Sequence, residues 1–193
     1  MPVPKILVIP GSLRAKSYNV RLAALASKEL ALADADVTRI SLMDFPLPIY
    51  DADAAAESGP APNAVKLKQL LSVHHGVFIA SPEYNASITP LIKNTIDWIS
   101  VVRAPGEPQL AVFQNRVFAL GGASPGRTGA MQSLLTLRQV LAVGCRALVI
   151  AEQVTVPNAA DAFDEMDQLK DARAAEQLKV VVRKLVATAK LMV

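Results

Sequence analysis

Short apolar runs alternate with longer amphipathic segments along the chain. The apolar runs predict five strands, at Lys5–Pro10, Val37–Ser41, Gly76–Ser81, Val117–Gly122 and Ala147–Gln153. The amphipathic segments predict helices over Ser17–Leu32, Asn63–Val73, Ile88–Val102 and Thr128–Val143, and a long final helix within Phe163–Leu191. Strands that alternate with helices form a parallel sheet covered on both faces, so the pattern predicts one α/β domain over residues 1–193.

The least regular stretch of the chain is Leu42–Pro62, which contains four prolines at positions 46, 48, 60 and 62. It is consistent with a surface crossover between the second strand and the second helix. It is equally consistent with a loop that overhangs a binding site, since long irregular loops often have that role. The sequence does not decide between the two interpretations.

Composition narrows the class of protein. The chain is 52% apolar and 19% charged, which suits a well-packed core, and its net charge is only +3. Aromatic residues make up 5% and the basic residues are scattered, so nucleic-acid binding is not expected. No apolar run approaches the roughly 20 residues that a membrane span requires. The one cysteine, Cys145, excludes an internal disulfide and a structural zinc site. We expect a soluble cytoplasmic protein.

Two polar loops follow the first and third predicted strands. In a doubly wound sheet with strand order 2-1-3-4-5, ligands bind beyond the carboxyl ends of the strands, at the reversal between the first and third strands. The segments at that point are Gly11–Asn19 and Pro82–Ser87, and both carry more hydrogen-bonding groups than a connection needs. The agreement between topology and chemistry predicts a ligand site here.

The segment after the first strand has the composition of an anion site. Ser12, Ser17 and Asn19 supply hydroxyl and amide donors, and the following helix supplies unpaired backbone N–H groups. Arg14 could add a bidentate bond to phosphate oxygens. Alternatively, Ser17 only caps the helix and Arg14 is solvated. Capping explains one serine and not the whole set, so anion binding is favoured.

A third loop follows the fourth strand, at Gly121–Thr128. Its sequence fits the phosphate-binding P-loop pattern except that Arg127 replaces the lysine, and arginine does not substitute for that compact charge. Nucleotide hydrolysis is therefore not expected. We interpret the segment as a glycine-rich loop whose backbone N–H groups approach the same ligand from the other side.

The segment after the third strand is suited to a planar heterocycle. Tyr84 offers an aromatic surface, and Glu83 and Asn85 offer polar groups at the strand end. Glu83 could instead be a general base, although no histidine or second carboxylate is placed with it. Adjacent His74 and His75 have no accompanying ligand cluster, so no metal site is predicted.

Two further residues are expected to be structural. Cys145 is flanked by apolar residues and is predicted to be a buried, inert thiol. Trp98 shares its predicted helix with several apolar residues, which is typical of a core or a subunit interface.

Three segments carry a resemblance to a known family. They are GSLRAKSYN at Gly11–Asn19, SPEYNASITPLIKNTIDW at Ser81–Trp98 and ASPGRTGAMQSLLTLRQVL at Ala123–Leu141, and FPLPIYDAD at Phe45–Asp53 is also similar. Over roughly residues 5–150 the chain resembles the NADPH-dependent FMN reductase family, with its quinone-, chromate- and azo-reducing members.

The resemblance implies a flavodoxin-like three-layer sandwich that holds FMN non-covalently. It implies that the FMN phosphate is held by Ser12, Arg14, Ser17, Tyr18 and Asn19. It also implies that the isoalloxazine ring is lined by Pro82, Glu83, Tyr84 and Asn85, with Ser124 approaching from the third loop. Members are usually dimers or tetramers. Ala86 and Ala130 replace residues common in the family, and both positions are expected to border the open face of the flavin.

The implied activity is hydride transfer from NADPH or NADH, through FMN, to a small-molecule acceptor: a quinone, free flavin, an azo compound or an oxyanion such as chromate. FMN supplies this chemistry, so no catalytic residue is predicted, and backbone N–H groups near Asn85 and residues 121–126 are expected to stabilise negative charge on the flavin. One alternative is a flavodoxin-type electron carrier; such carriers are typically acidic, whereas this chain is basic. The other is a flavin-free hydrolase or transferase that uses Glu83.

Overall fold

Five parallel strands form one sheet in the computed structural model, which describes residues 3–193. The strands are β1 (Lys5–Pro10), β2 (Asp36–Arg39), β3 (Gly76–Ala80), β4 (Val117–Ala123) and β5 (Leu148–Val156). Their order in the sheet is β2-β1-β3-β4-β5, with every neighbouring pair parallel. The predicted strand order is confirmed, and it places the reversal of the sheet between β1 and β3.

Residues 3–193 also form seven α-helices. They are α1 (Tyr18–Leu32), α2 (Ala52–Ser58), α3 (Pro62–Ser72), α4 (Pro90–Val101), α5 (Ala111–Gln114), α6 (Met131–Gln139) and α7 (Ala172–Ala189). A π-helical turn at Val140–Gly144 extends α6. Helices α1 and α7 pack on one face of the sheet, and α3, α4, α5 and α6 pack on the other. This confirms the flavodoxin-like three-layer sandwich. Within residues 3–193, no helix has the length and apolar character to cross a bilayer.

The alternation of side chains along β1 separates the two cores. Ile6 and Val8 are buried with α1 and α7, while Leu7 and Ile9 are buried with α3 and α4. Successive residues of a strand point to opposite faces, so a central strand of this fold must be apolar on both. The fully buried β3 and β4 meet the same requirement. The central strands are therefore the ones that the apolar runs of the sequence predict best.

The irregular stretch Leu42–Pro62 packs against α4. The carbonyl oxygen of Pro48 accepts hydrogen bonds from Asn94 Nδ2 at 2.8 Å and from Trp98 Nε1 at 2.7 Å. Trp98 is only 4% exposed, so of the two predicted environments, a core or a subunit interface, the structure shows the core. The stretch contains α2, which the sequence did not predict, and no residue of it lines the cleft described below. The structure thus favours a surface crossover.

Candidate functional site

Three loops meet at the carboxyl edge of the sheet and enclose a cleft. We call Gly11–Ser17 the first loop, Ser81–Ser87 the second loop and Ser124–Ala130 the third loop. The cleft holds about 340 Å³ of empty space and is lined by Ser12, Arg14, Ser17, Tyr18, Asn19, Pro82, Glu83, Tyr84, Ala123, Ser124 and Pro125. Nine of the ten residues predicted to bind cofactor are in this lining, and the tenth, Asn85, follows Tyr84 at the tip of the second loop.

The first loop presents hydrogen-bond donors to the cleft. Ser17 caps α1, its Oγ accepting from the N–H of Asn19 at 3.2 Å, and Ser12 Oγ accepts from the N–H of Arg14 at 3.3 Å. Because each hydroxyl acts as an acceptor in these bonds, each keeps its proton for a ligand. Within residues 3–193, the N–H groups of Leu13, Ala15 and Lys16 donate to no protein acceptor. The capping and anion-binding interpretations of Ser17 are therefore compatible.

Gly11 allows the first loop to start directly against α4. A Cβ at this position would lie 2.1 Å from Ile92 Cδ1 and 3.3 Å from the carbonyl oxygen of Ala80. The Gly11 carbonyl accepts from Thr89 Oγ1 at 3.1 Å, and its N–H donates to Ala80 O at 2.8 Å. The start of the loop is thus anchored to β3 and α4.

The side chain of Asn19 connects the first helix to the third loop. Asn19 is 3% exposed, its Nδ2 donates to the carbonyl of Ala123 at 2.8 Å, and its Oδ1 accepts from the Ala123 N–H at 2.9 Å. The sequence predicts Asn19 only as a donor to an anion and gives no sign of this contact. No sequence signal points to it, because the two residues are 104 positions apart.

The second loop ends in a tight turn. Tyr84 and Ser87 exchange two backbone hydrogen bonds of 3.0 Å each, and between them Asn85 and Ala86 have φ values of 50° and 59°. These are the features of a type I′ turn. Within the described part of the chain, the N–H groups of Asn85 and Ala86 have no protein acceptor. Tyr84 is 44% exposed, so its ring is accessible from the cleft.

Glu83 is held by the first turn of α6. Its Oε2 accepts from the N–H of Ser133 at 3.2 Å, and Gln132, in the orientation that satisfies its amide, donates to the same carboxylate at 2.8 and 3.0 Å. Ser133 Oγ also donates to the carbonyl of Pro82 at 2.8 Å. Through these hydrogen bonds to Ser133 and Gln132, Glu83 acts as a tether between the second loop and α6.

The third loop is fixed by the segment after β5. Ser124 N donates to Val156 O at 3.1 Å, and Ala159 N donates to Ser124 O at 3.0 Å. Gly129 has φ +59°, and a Cβ there would lie 2.7 Å from the backbone nitrogen of Pro157. Ala130 is fully buried beside Gly122, so the expectation that it borders an open face is wrong, whereas Ala86 is exposed at the turn.

The remaining candidate residues lie away from the cleft. His74 Nδ1 donates to the carbonyl of Leu70 at 2.6 Å, and His75 Nδ1 accepts from the N–H of Lys5 at 2.9 Å. Cys145 is buried, and burial raises the pKa of its thiol to about 11. Among residues 3–193, no group of three or more His, Cys, Asp or Glu side chains is arranged to hold a metal ion.

Residues 4–161 match the model of the NADPH-dependent FMN reductase family. The chain belongs to this family. It is 32% identical over 176 residues to an NAD(P)H-dependent FMN reductase of Pseudomonas aeruginosa, covering 91% of this chain and 89% of the relative. It is 33% identical over 138 residues to a quinone reductase of Escherichia coli, covering 71% of this chain and 69% of the relative.

A solved structure with the same architecture agrees with this family. FerB of Paracoccus denitrificans, a flavoenzyme NAD(P)H:(acceptor) oxidoreductase, superposes with a TM-score of 0.75 and 26% identity, covering 98% of this chain and 99% of FerB. The resemblance seen in the sequence is thereby confirmed, and the chain is an oxidoreductase of the NADPH-dependent FMN reductase family.

Proposed function

We propose that the chain binds FMN in the cleft and catalyses the reduction of small-molecule acceptors by NADPH or NADH. Quinones are the leading acceptor class, with free flavin, azo compounds and oxyanions such as chromate as further candidates. The convergence of the three loops at the reversal of the sheet is the observation that carries this proposal, because it joins an anion site to an accessible aromatic surface. When bound, FMN accepts hydride from the nicotinamide and passes reducing equivalents to the acceptor.

The donor set of the first loop fits a phosphate group. In our proposal the free hydroxyl protons of Ser12 and Ser17 and the side chain of Arg14 bind phosphate oxygens. The N–H groups at the start of α1, including that of Tyr18, add the positive end of the helix dipole. Asn19 keeps the first turn of α1 aligned with Ala123, so these donors are held in place before the ligand arrives.

The opposite side of the cleft fits a flat heterocycle. Pro82 and Tyr84 supply apolar and aromatic surface, while Ser124 approaches from the third loop. The unpaired N–H groups of Asn85 and Ala86 face no competing protein acceptor, so we assign them to stabilising negative charge on the ring. Glu83 lines the cleft with its carboxylate already hydrogen-bonded to Ser133 and Gln132. We assign no acid–base role to any side chain.

Two observations favour an enzyme over an electron carrier of the flavodoxin type. Both classes bind FMN in this fold, so the cleft alone does not separate them. The net charge of +3 is unlike the acidic surface that helps carriers dock on basic partners. The curated relatives reported above are named as reductases. Together these observations support turnover of NAD(P)H by this chain.

We further propose that residues 1–193 act as a single domain in a homodimer or homotetramer located in the cytoplasm. The support for assembly is the exposure of apolar side chains on α6 and β5, where Leu135 is 56% and Leu148 is 46% exposed. A cytoplasmic location agrees with the use of a nicotinamide reductant and with a cysteine that is free. Light scattering coupled to size-exclusion chromatography measures the assembly directly.

Anaerobic turnover tests the proposed function. Purified protein is mixed under nitrogen with FMN, NADPH and a benzoquinone, and the absorbance of NADPH is followed. We expect FMN-dependent loss of NADPH with matching formation of the quinol. Binding of FMN without loss of NADPH would leave an electron carrier, and a protein that stays colourless after incubation with FMN would point to the flavin-free alternative.

A further inference from the structure

Basic and acidic residues are unevenly distributed among the segments that follow the strands at the carboxyl edge of the sheet. The first, second and third loops contain three cations, Arg14, Lys16 and Arg127, and one carboxylate, that of Glu83. Residues 40–62, which follow β2, contain four acids and no base. Residues 157–171, which follow β5, contain five acids and one lysine. The three loops that enclose the cleft are thus net basic, whereas the segments that follow the two edge strands are acidic, and the cleft favours ligands that carry several negative charges.

Arg127 is presented by a rigid loop and has no partner within the described residues. It is exposed, and its side chain makes no ion pair or hydrogen bond within residues 3–193. The backbone on either side is fixed, since Asn158 N donates to Gly126 O at 3.2 Å and Gly129 N donates to the same oxygen at 3.4 Å. The backbone that carries Arg127 is therefore held in place before any ligand binds.

The neighbours of Arg127 connect the third loop to the second loop. The next residue, Thr128, has its Oγ1 3.1 Å from the side-chain amide of Gln132, and that amide also bonds the carboxylate of Glu83. Arg127 thus stands one residue from the network that holds the second loop. Arg14 and Lys16 belong to the first loop, where the phosphate of FMN is proposed to bind. Arg127 lies outside the lining of the cleft, and of the three loop cations it is the one available to a second anionic ligand.

We infer that Arg127 binds the 2′-phosphate of NADPH and makes the chain prefer NADPH to NADH. The inference rests on the proposed function, because it names the reductant of the same site. The 2′-phosphate is the chemical difference between the two dinucleotides and carries close to two negative charges. A guanidinium binds such a group through two parallel hydrogen bonds, and a preorganised loop lowers the entropy lost on binding.

Equilibrium binding of nucleotide fragments tests the inference without turnover. Adenosine 2′,5′-bisphosphate and AMP are titrated by calorimetry into the FMN-loaded protein and its Arg127→Ala, Arg127→Lys and Lys16→Ala variants. We expect Arg127→Ala to weaken the bisphosphate at least tenfold more than it weakens AMP, with Arg127→Lys intermediate. Lys16→Ala removes one positive charge from the first loop and controls for the non-specific electrostatic effect of that loss. Equal weakening by Arg127→Ala and Lys16→Ala would overturn the inference.

Steady-state kinetics supplies the second readout. The ratio of kcat/KM for NADPH to that for NADH should fall at least tenfold in Arg127→Ala, mainly through KM for NADPH. An unchanged ratio would contradict the role of Arg127 while leaving the reductase activity intact. A wild-type protein that oxidises neither dinucleotide would instead contradict the proposed function, so the two failures are distinguishable.

Discussion

The side-chain amide of Asn19 binds both backbone groups of Ala123, at 2.8 Å to its carbonyl and 2.9 Å from its N–H. An amide paired in this way acts like an extra strand residue, and it joins the first turn of α1 to the end of β4. The first loop, which precedes α1, and the third loop, which follows β4, are therefore mechanically coupled. Their separation across the cleft is set by a contact that no local sequence pattern identifies.

Asn19→Asp tests whether the hydrogen bonds of Asn19, rather than its packing, join the two loops. Aspartate keeps the shape of the side chain and the acceptor for the Ala123 N–H. It replaces the donor Nδ2 with an oxygen that faces the Ala123 carbonyl. We expect the free energy of unfolding to fall by about 1–3 kcal/mol, the cost of leaving a buried polar group unpaired. We also expect FMN affinity to fall, because the first and third loops are no longer held at a fixed separation. Urea unfolding of the apoprotein and fluorescence titration with FMN measure the two effects.

Asn115→Asp is the matched control for Asn19→Asp, because it makes the same substitution at an exposed asparagine. The Asn115 side chain makes no hydrogen bond within residues 3–193, so the change should leave both quantities near the wild-type values. Wild-type stability and FMN affinity in Asn19→Asp would show that the Ala123 contact contributes nothing to the site.

Arg14→Ala tests the assignment of the phosphate end. Removing one charge-assisted hydrogen bond should weaken FMN binding by about 1.5–3 kcal/mol. Riboflavin lacks the phosphate, so its affinity should hardly change. Titrations of both ligands into wild type, Arg14→Ala and the control Lys16→Ala give the comparison. Equal losses for FMN and riboflavin would refute the phosphate assignment.

Glu83→Gln and Glu83→Ala distinguish a tether from a general base. Glutamine keeps an acceptor for the N–H of Ser133, whereas alanine leaves the start of α6 without its cap. If Glu83 is a tether, FMN affinity and melting temperature should follow the order wild type, Gln, Ala, with Gln close to wild type. A base would give a different pattern, because glutamine would abolish turnover as completely as alanine while the flavin remained bound.

Gly129 should tolerate no side chain. Its φ of +59° disfavours any L residue, and a Cβ would press on rigid backbone atoms of Val156 and Pro157 at 2.7–2.9 Å. We expect Gly129→Ala to lower the free energy of unfolding by about 2–3 kcal/mol, through overpacking and backbone strain. Gly144→Ala is the control, since a Cβ there meets nothing within 4 Å and its φ is not positive. Comparable stabilities for the two variants in urea would contradict the packing argument.

The sequence predicted the sheet well because its central strands are apolar on both faces. β1 was predicted at its observed bounds, and β3 differs by one residue. The short helices α2 and α5 were missed, since seven residues in a proline-rich stretch and four residues before β4 carry too few apolar repeats to show a helical period. β5 was ended at Gln153, although after an irregularity its pairing with β4 resumes and continues to Val156.

For the site, the sequence predicts which residues line the cleft but not which partners their side chains bond. Strand order is enough to predict which loops meet, so the lining residues from the first, second and third loops were named correctly as neighbours. The hydrogen bonds that a side chain makes depend on partners that are distant in the sequence. Asn19 is engaged by Ala123, and Glu83 is engaged by Ser133, 50 positions away. Ala130 was placed at an open face on the basis of the family resemblance, yet it is fully buried and packed against Gly122.

Cys145 provides a test of burial at a site remote from the cleft. Desolvation, with a smaller contribution from the charge of Asp97, raises the pKa of this thiol to about 11 from an ordinary value of 9.0. A raised pKa favours the neutral thiol, so at pH 8 the reactive thiolate is about one thousandth of the total.

We expect the folded protein to react with Ellman's reagent at least tenfold more slowly than the urea-unfolded protein. The folded rate should keep rising as the pH is increased from 8 to 10, because the group has not yet titrated. Fast reaction of the folded protein, or a rate that levels off near pH 9, would contradict the burial of this side chain.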